Sequence, residues 1–451
     1  LADSYAPGWR AYQRPWGGGE RDEREVPIQR HAGQFRAVYL EAGAHTVRYK
    51  YTPTSVKVGF FLTFLGGATL ALMAIVWLWR RYVGGKGPGA EEGDARRVAR
   101  NSVAPIVLQL FNKLVDMAFI MLALRILGPA GAGQYYFVVN LIVYTDVFIN
   151  FGLNTYLQRE IARARDEGRR YLGNAVTLRL GLSVVAAPLL ALFVLVWPLF
   201  TQLLASLGWA AHAETLDGTQ IWALALFAIG LVPGNVAAAL TALFQANERM
   251  EYPAAITVVS TLIKAALGTA ALLLGWGIAG LGGVSIVTNL VTLGILAALT
   301  ARLFFIPRLS WEPSLQKEMR RESWPLMVNN LLSMGFFKAD VILLKAIAGD
   351  VVLGLYSSVA YKLIDAINIV PTSFTFALFP LMSRYAHASQ ATSSGQAAMT
   401  RAYLLAVRLL VLVALPLAMA LTLLAYPIGR VIGGSGYMPD SAIALQLMVW
   451  S

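Results

Sequence analysis

Between residues 56 and 427 long apolar stretches alternate with short polar ones, and this pattern limits the fold more than anything else in the chain. An apolar run of roughly 20 residues crosses the hydrocarbon core of a bilayer as a helix. Such runs lie near 56–79, 103–127, 134–157, 173–200, 220–246, 253–275, 278–305, 324–347, 351–382 and 402–427, and a further one begins near 441. Composition agrees, with 57% hydrophobic and only 14% charged residues, where a soluble domain carries about 25% charged. The expected class is an all-α polytopic membrane protein with a small N-terminal β domain. Cysteine is absent, so disulfides and Cys-ligated zinc are excluded. Leu1 carries no signal-peptide pattern and Ser451 falls inside an apolar run, so both ends read as cut from a longer chain.

Lys and Arg in the loops set the orientation. Arg80, Arg81, Lys86, Arg96, Arg97 and Arg100 fall on one side, as do the Arg159–Arg170 cluster, Arg249, the Arg302–Arg321 cluster, Arg384 and Arg401. Loops on the other side hold only Arg430. The basic side is therefore cytoplasmic, and the net charge of +12 reflects topology rather than a nucleic-acid partner.

Residues 1–55 differ in kind. The stretch "FRAVYLEAGAHTVRYKY" (35–51) alternates apolar and polar residues around a Gly turn, as a hairpin does. "GGGERDERE" (17–25) reads as a solvated loop. Topology places this β domain outside the cytoplasm, with helix 56–79 carrying the chain inward and 80–100 as a cytoplasmic linker. The linker's "GGKGPGAEEGD" is no phosphate-binding loop, because Gly follows the Lys and no strand precedes it.

An internal repeat is visible. Helices open at Ser102 and Ser323 with Pro in the first turn, each reaches a basic residue (Arg125, Lys345), and "GQYYF" at Gly133 answers "GLYSS" at Gly354. The offset of 220–221 spans six helices, an even number, so the halves are parallel repeats about an axis along the membrane normal. This divides the remainder into an N-lobe (101–306), a cytoplasmic inter-lobe linker (307–322) and an incomplete C-lobe (323–451).

Eight ionisable residues fall near the middle of these helices: Lys113, Asp116, Asp146, Lys264, Lys338, Asp340, Lys362 and Asp365. Each costs about 2.5–3.5 kcal/mol at the bilayer centre on insertion scales, so they face the bundle interior or a wet cavity. Lys113–Asp116 and Lys362–Asp365 share a helix face at i,i+3, where local pairing and binding are equally reasonable readings. Lys338 and Asp340 stand about 200° apart around their helix and do not satisfy one another. Lys264 and Asp146 have no partner in their own helices. Arg125, Arg179, Lys345 and Arg408 lie nearer helix ends, where snorkelling explains them, least securely for Arg179. Pro233 in "VPGNV" and Pro371 in "INIVPTSF" interrupt helices, either as kinks or as cavity elements with Asn235, Thr372 and Ser373 beside them. The His residues are scattered without ligand spacing, and no grouping suggests hydrolysis.

The stretch "NSVAPIVLQLFNKLVDMAFIMLALRILGPAGAGQYYFVVNLIVYTDVFINFGLNTYLQREIARAR" (101–165) resembles the opening of Wzx-type polysaccharide flippases of the MOP superfamily. Lipid II flippases and MATE exporters are more distant cousins. The shared pattern is a charged first helix, "LG…G.G.Y" after it, "FGL" closing the second helix and an Arg-rich loop. The resemblance covers roughly 100–451 and implies two six-helix lobes around a central cavity, alternating access, and a polyprenyl-pyrophosphate-linked oligosaccharide as cargo. It also implies membrane lipids and the glycosyltransferase and polymerase of one pathway as partners, in a bacterial cytoplasmic membrane. Lys113 takes the position where lipid II flippases carry a cavity arginine, while Asp146 departs from their basic pattern. Residues 1–79, with "DSYAPGWRAY…VPIQRHAGQFRAVYLEAGAHTVRYKYTP", are similar to the terminal β domain and last helix of YfhO-type, GT-C-like membrane proteins.

The resulting expectation is a flippase, not an enzyme, with no cofactor and no metal. Lys113, Lys264, Lys338, Lys362 and Arg179 would bind the substrate; Asp116, Asp146, Asp340 and Asp365 would act as charge partners or couple an ion gradient. The rivals are a MATE-like cation antiporter, which needs an acidic cavity, and the tail of a membrane glycosyltransferase.

Overall fold

The computed structural model describes residues 8–16, 24–31, 35–51, 94–210, 215–367 and 393–450, with scattered positions between 59 and 70. The chain divides into two units, Leu1–Ala90 and Glu91–Ser451.

The first unit is built from short strands: β1 (Trp9–Pro15), β2 (Arg24–Val26), β3 (Ile28–His31), β4 (Phe35–Val38) and β5 (His45–Tyr51). An antiparallel sheet runs β2-β1-β5, and β3 pairs with β4 in a separate hairpin. The hairpin expected over 35–51 does not form. β5 instead pairs with β1 along its whole length, from Trp9 opposite Tyr51 to Pro15 opposite His45. The expected loop over 17–25 also ends early, since Arg24–Val26 joins β1. Two seven-residue strands satisfy more backbone groups together than the four-residue β4 offers β5, and the cross-strand ring pair Trp9–Tyr51, 5.0 Å apart, adds side-chain contact. From β4 the buried Arg36 guanidinium lies 3.6 Å from the centre of the Trp9 ring and 4.9 Å from that of Tyr49, which ties hairpin to sheet.

The second unit is helical: α1 (Asp94–Asn150), α2 (Leu153–Arg163), α3 (Gly168–Ser206), α4 (Gly218–Ala246), α5 (Glu251–Leu273), α6 (Gly277–Leu303), α7 (Pro313–Tyr356), α8 (Lys362–Ile367), α9 (Ser393–Ile432) and α10 (Asp440–Met448). Among the described residues, seven helical segments are long and apolar enough to cross a membrane. Two of them, Leu108–Arg163 and Pro313–Asp365, run to 56 and 53 residues, far beyond the roughly 20 needed for one crossing. Glycine breaks both, and Gly152 (φ 74) turns the first a second time at its junction with α2. Gly128 (φ 67, ψ 178) interrupts α1, and Gly349 (φ 78, ψ −175) interrupts α7. Both residues hold a left-handed φ that a side chain would strain. The same non-helical turn thus recurs at the spacing that separates Ser102 from Ser323.

Helix positions follow the apolar runs, but several helices start earlier. α1 begins at Asp94, α3 at Gly168, α7 at Pro313 and α9 at Ser393. In α7 the extra turns lie in the segment expected to be linker, because Leu315, Gln316 and Met319 bury one face there. The expected helix 56–79 falls mostly outside the described residues, as do the linker up to residue 93 and the run beyond Ile367 that holds Pro371, Thr372, Ser373, Arg384 and His387. Pro233 leaves α4 continuous. Asn289 on α6 donates to the Gly230 carbonyl (2.9 Å), next to the Ile229 carbonyl that Pro233 leaves without its helical donor.

Two apolar cores organise the unit. One gathers Tyr156, Leu157, Ile161, Leu172, Leu243, Phe244 and Met319 at the basic end. The other gathers Phe137, Leu141, Trp197, Leu224, Val341 and Leu353, with the Trp197 ring among Phe137, Phe193 and Phe200 at 5.0–6.0 Å. The second arm of α1 runs antiparallel to α7: Phe151 meets Trp324, Tyr144 donates to the Met334 carbonyl (3.2 Å), Asn140 to that of Lys338 (3.1 Å), and Gly133 abuts Asp350. At that last point a Cβ on Gly133 would strike the Asp350 carbonyl, and one on Gly354 would strike that of Pro129. The two clashes mirror one another.

Candidate functional site

The segments Lys113-Leu114-Val115-Asp116 on α1 and Lys362-Leu363-Ile364-Asp365 on α8 share one pattern, and the fold crosses them. Lys113 pairs with Asp365 (3.0 Å) and Lys362 with Asp116 (3.6 Å). The local i,i+3 pairing open from sequence is therefore not the one adopted. Local pairing would occupy only one helix, whereas crossing joins two elements 252 residues apart in the chain. Lys264 on α5 adds a third amine, with its Nζ 2.5 Å from Asp116 Oδ1. Two amines thus grip one carboxylate, one on each oxygen.

A π-turn, Ser357–Tyr361, directly precedes α8. Such wide turns inside helices recur at functional sites because they re-aim the following side chains. Here Ser358 bonds back to the Gly354 carbonyl, and the turn delivers Tyr361 and Lys362 to the cluster. The Tyr361 ring lies under the Lys338 ammonium, 4.8 Å from nitrogen to ring centre, a cation–π contact. Among the described residues Lys338 has no ion pair. Two residues on, Asp340 accepts from the Tyr356 hydroxyl (2.6 Å), and the Tyr361 hydroxyl lies 3.3 Å from it. Lys338 and Asp340 do not meet, as their helical spacing requires. Tyr356 and Tyr361 were not foreseen as site residues, since nothing in the sequence announces a π-turn.

The three bridges around Lys113, Asp116, Lys264, Lys362 and Asp365 are not sealed. Their side chains are 29–59% exposed. Charges accessible at mid-helix are costly against hydrocarbon, so the accessible face is a wet one between helices. With Lys338 and Asp340 beside these bridges, the described residues of this region hold four lysines and three aspartates, a positive excess of one charge. Asp146 does not join them.

Asp146 and Arg179 form a separate cluster with three asparagines. Asn235 donates to Asp146 (2.8 Å); Arg179 donates to the Asn235 carbonyl (2.6 Å), to Asn154 (2.7 Å) and to Asn150 (3.3 Å). Arg179 is fully buried. It neither snorkels nor stands with the lysines expected beside it in the substrate set: the guanidinium holds α1, α2 and α4 to α3. Lys345 is likewise buried rather than snorkelling. It pairs with Asp350 (2.8 Å) across the Gly349 break, and Gln220 donates to the same carboxylate (3.0 Å). Arg125 does reach a helix end, donating to the Val431 carbonyl (2.6 Å).

Two further features frame the site. At the basic end Arg170 forks onto Glu312 (2.7–3.0 Å), and these hydrogen bonds hold the Glu312 carboxyl below its ordinary range. Between α1, α3 and α4 lies an apolar groove of about 560 Å³ lined by Ala186, Leu190, Val194, Leu224 and Ala228 among others; none of the lysines lines it.

Residues 98–386 match the family described as polysaccharide biosynthesis protein. No curated protein sequence matches the chain. Among solved structures the chain is similar to an inward-facing multidrug resistance MATE family transporter of the MOP superfamily, at 17% identity and TM-score 0.48 over 76% of this chain and 79% of that one. An outward-facing structure of such a transporter matches at 16% identity and TM-score 0.49, over 78% of this chain and 76% of that one. A MOP superfamily transporter from Pyrococcus furiosus matches at 17% identity and TM-score 0.46, over 78% and 79% respectively. The family match covers most of the helical unit, including every lysine of the cluster, and the chain belongs to the polysaccharide biosynthesis protein family.

Proposed function

We propose that the chain is a flippase that carries a polyprenyl-pyrophosphate-linked oligosaccharide across the cytoplasmic membrane of a bacterium. The observation that supports it most is the partly exposed cluster of four lysines on three apolar helical segments, with Lys338 free of any ion pair among the described residues. An ammonium is a compact donor that suits phosphoryl oxygens, and keeping four of them in a bilayer interior demands a functional return. Lys113, Lys264, Lys338 and Lys362 meet the pyrophosphate. Asp116, Asp340 and Asp365 balance them in its absence, and Asp146 belongs to the Arg179 cluster that braces the N-lobe. A MATE-like cation exporter would need the opposite excess of charge.

The working cycle is alternating access between two parallel six-helix repeats, N-lobe 101–306 and C-lobe 323–451, which meet along the second arm of α1 and α7. Energy for net transport comes from an ion gradient, with Asp340 and Asp365 as the groups placed to couple it. Pathway enzymes that make and polymerise the oligosaccharide are the natural partners. The test is flipping of a polyprenyl-pyrophosphate-linked oligosaccharide in proteoliposomes. Lys338→Ala should abolish it while the protein still inserts and purifies normally; wild-type rates from that variant would remove Lys338 from the path.

A further inference from the structure

The Asp116 carboxylate holds one amine on each of its oxygens, Lys264 at 2.5 Å and Lys362 at 3.6 Å, contributed by helices that precede and follow the inter-lobe segment. This is how two lysines would grasp the non-bridging oxygens of a phosphoryl group. The adjacent Lys113, one turn away on α1, pairs with one oxygen of Asp365. Unpartnered, several ammonium groups at this depth would repel one another and lose charge or position; a carboxylate among them keeps them ionised and aimed.

We infer that Asp116 is a tethered stand-in for the cargo's phosphoryl group, and that it sets which anions enter. The inference rests on the reading of the lysines as an anion site. A competitor must displace a carboxylate of charge −1 from two amines. A singly charged phosphodiester, the headgroup of bulk anionic lipid, gains no more Coulomb attraction than it displaces. A pyrophosphate diester, with charge −2 spread over adjacent phosphoryl groups, gains about twice as much. Asp116 is therefore the filter that keeps abundant phospholipid out of a path built for a diphosphate.

The test uses the full chain in nanodiscs of zwitterionic lipid, with inorganic pyrophosphate and dimethyl phosphate as probes and calorimetric binding as readout. Wild type should bind pyrophosphate and ignore dimethyl phosphate. Asp116→Asn should bind pyrophosphate about tenfold more tightly and begin to bind dimethyl phosphate, whereas Asp116→Glu should keep the wild-type discrimination. If Asp116→Asn does not purify as a folded protein, Asp365→Asn is read instead and should shift pyrophosphate binding the same way through Lys113. Pyrophosphate binding that is unchanged or weaker in the Asn variant, with dimethyl phosphate still rejected, overturns the filter and leaves the flippase reading standing. Failure of wild type and every variant to bind pyrophosphate overturns both.

Discussion

Lys113 on α1 bonds to Asp365 on α8, and not to Asp116 one turn away on its own helix. The reciprocal bond from Lys362 to Asp116 completes a cross between the two segments. Partly exposed ion pairs of this type contribute about 0.2–1 kcal/mol each by double-mutant cycles. Lys113→Asp and Asp365→Lys should each lower the midpoint of denaturant unfolding in detergent, and the double reversal should recover most of the loss. Additive losses in the double variant would show that the two residues do not couple.

The Arg179 cluster should behave as a brace. Arg179→Gln removes charge-assisted bonds to Asn154 and to the Asn235 carbonyl inside a buried site, worth about 2–4 kcal/mol. We expect less folded protein in the membrane but an unchanged flipping rate per folded molecule. A normal yield with lost transport would return Arg179 to the substrate path.

Lys345 and Asp350 give the clearest buried pair. Lys345→Met takes the ammonium away from the Asp350 carboxylate, and removal of one partner from a buried pair costs about 3–5 kcal/mol. Adding Asp350→Asn should restore much of that, because the uncompensated charge goes too. Thermal unfolding of the three variants in detergent checks the order: single Lys variant least stable, double variant intermediate, wild type most stable.

Gly133→Ala and Gly354→Ala each drive a methyl into a backbone carbonyl of the facing segment. Overpacking typically costs about 1–3 kcal/mol, and the upper end is expected where the obstacle is main chain. Size-exclusion profiles of the two variants should show similar losses, since their obstacles are related. A neutral outcome for either would mean the helices separate there at no cost.

The membrane crossings were legible because hydrocarbon thickness imposes a length and hydropathy that no local detail overrides; the runs from 220–246 to 278–305 coincide with α4, α5 and α6 within a few residues. The identities of the mid-membrane lysines were legible for the same reason, as exceptions to that rule. Their partners were not. Lys113 and Asp116 share a face, so sequence offered a local pair, and only the approach of α8 to α1 makes the crossed pair available. Arg179 looked like a helix-end cation because the asparagines that hold it, at 150, 154 and 235, come from three other elements. The β unit failed for a related reason: alternation over 35–51 marked strands correctly but could not say that β5 would take β1 as its neighbour.

Where Gly133 and Gly354 pass, the nearest atoms of the opposing segments belong to the polypeptide backbone itself. Further along the same pair of helices, Asn140 and Tyr144 reach across with side chains, which can be exchanged. The glycine contact cannot be padded or trimmed, because any substitution adds bulk and no residue is smaller. It acts as a fixed spacer: a side chain at either glycine would force the two segments apart at that level.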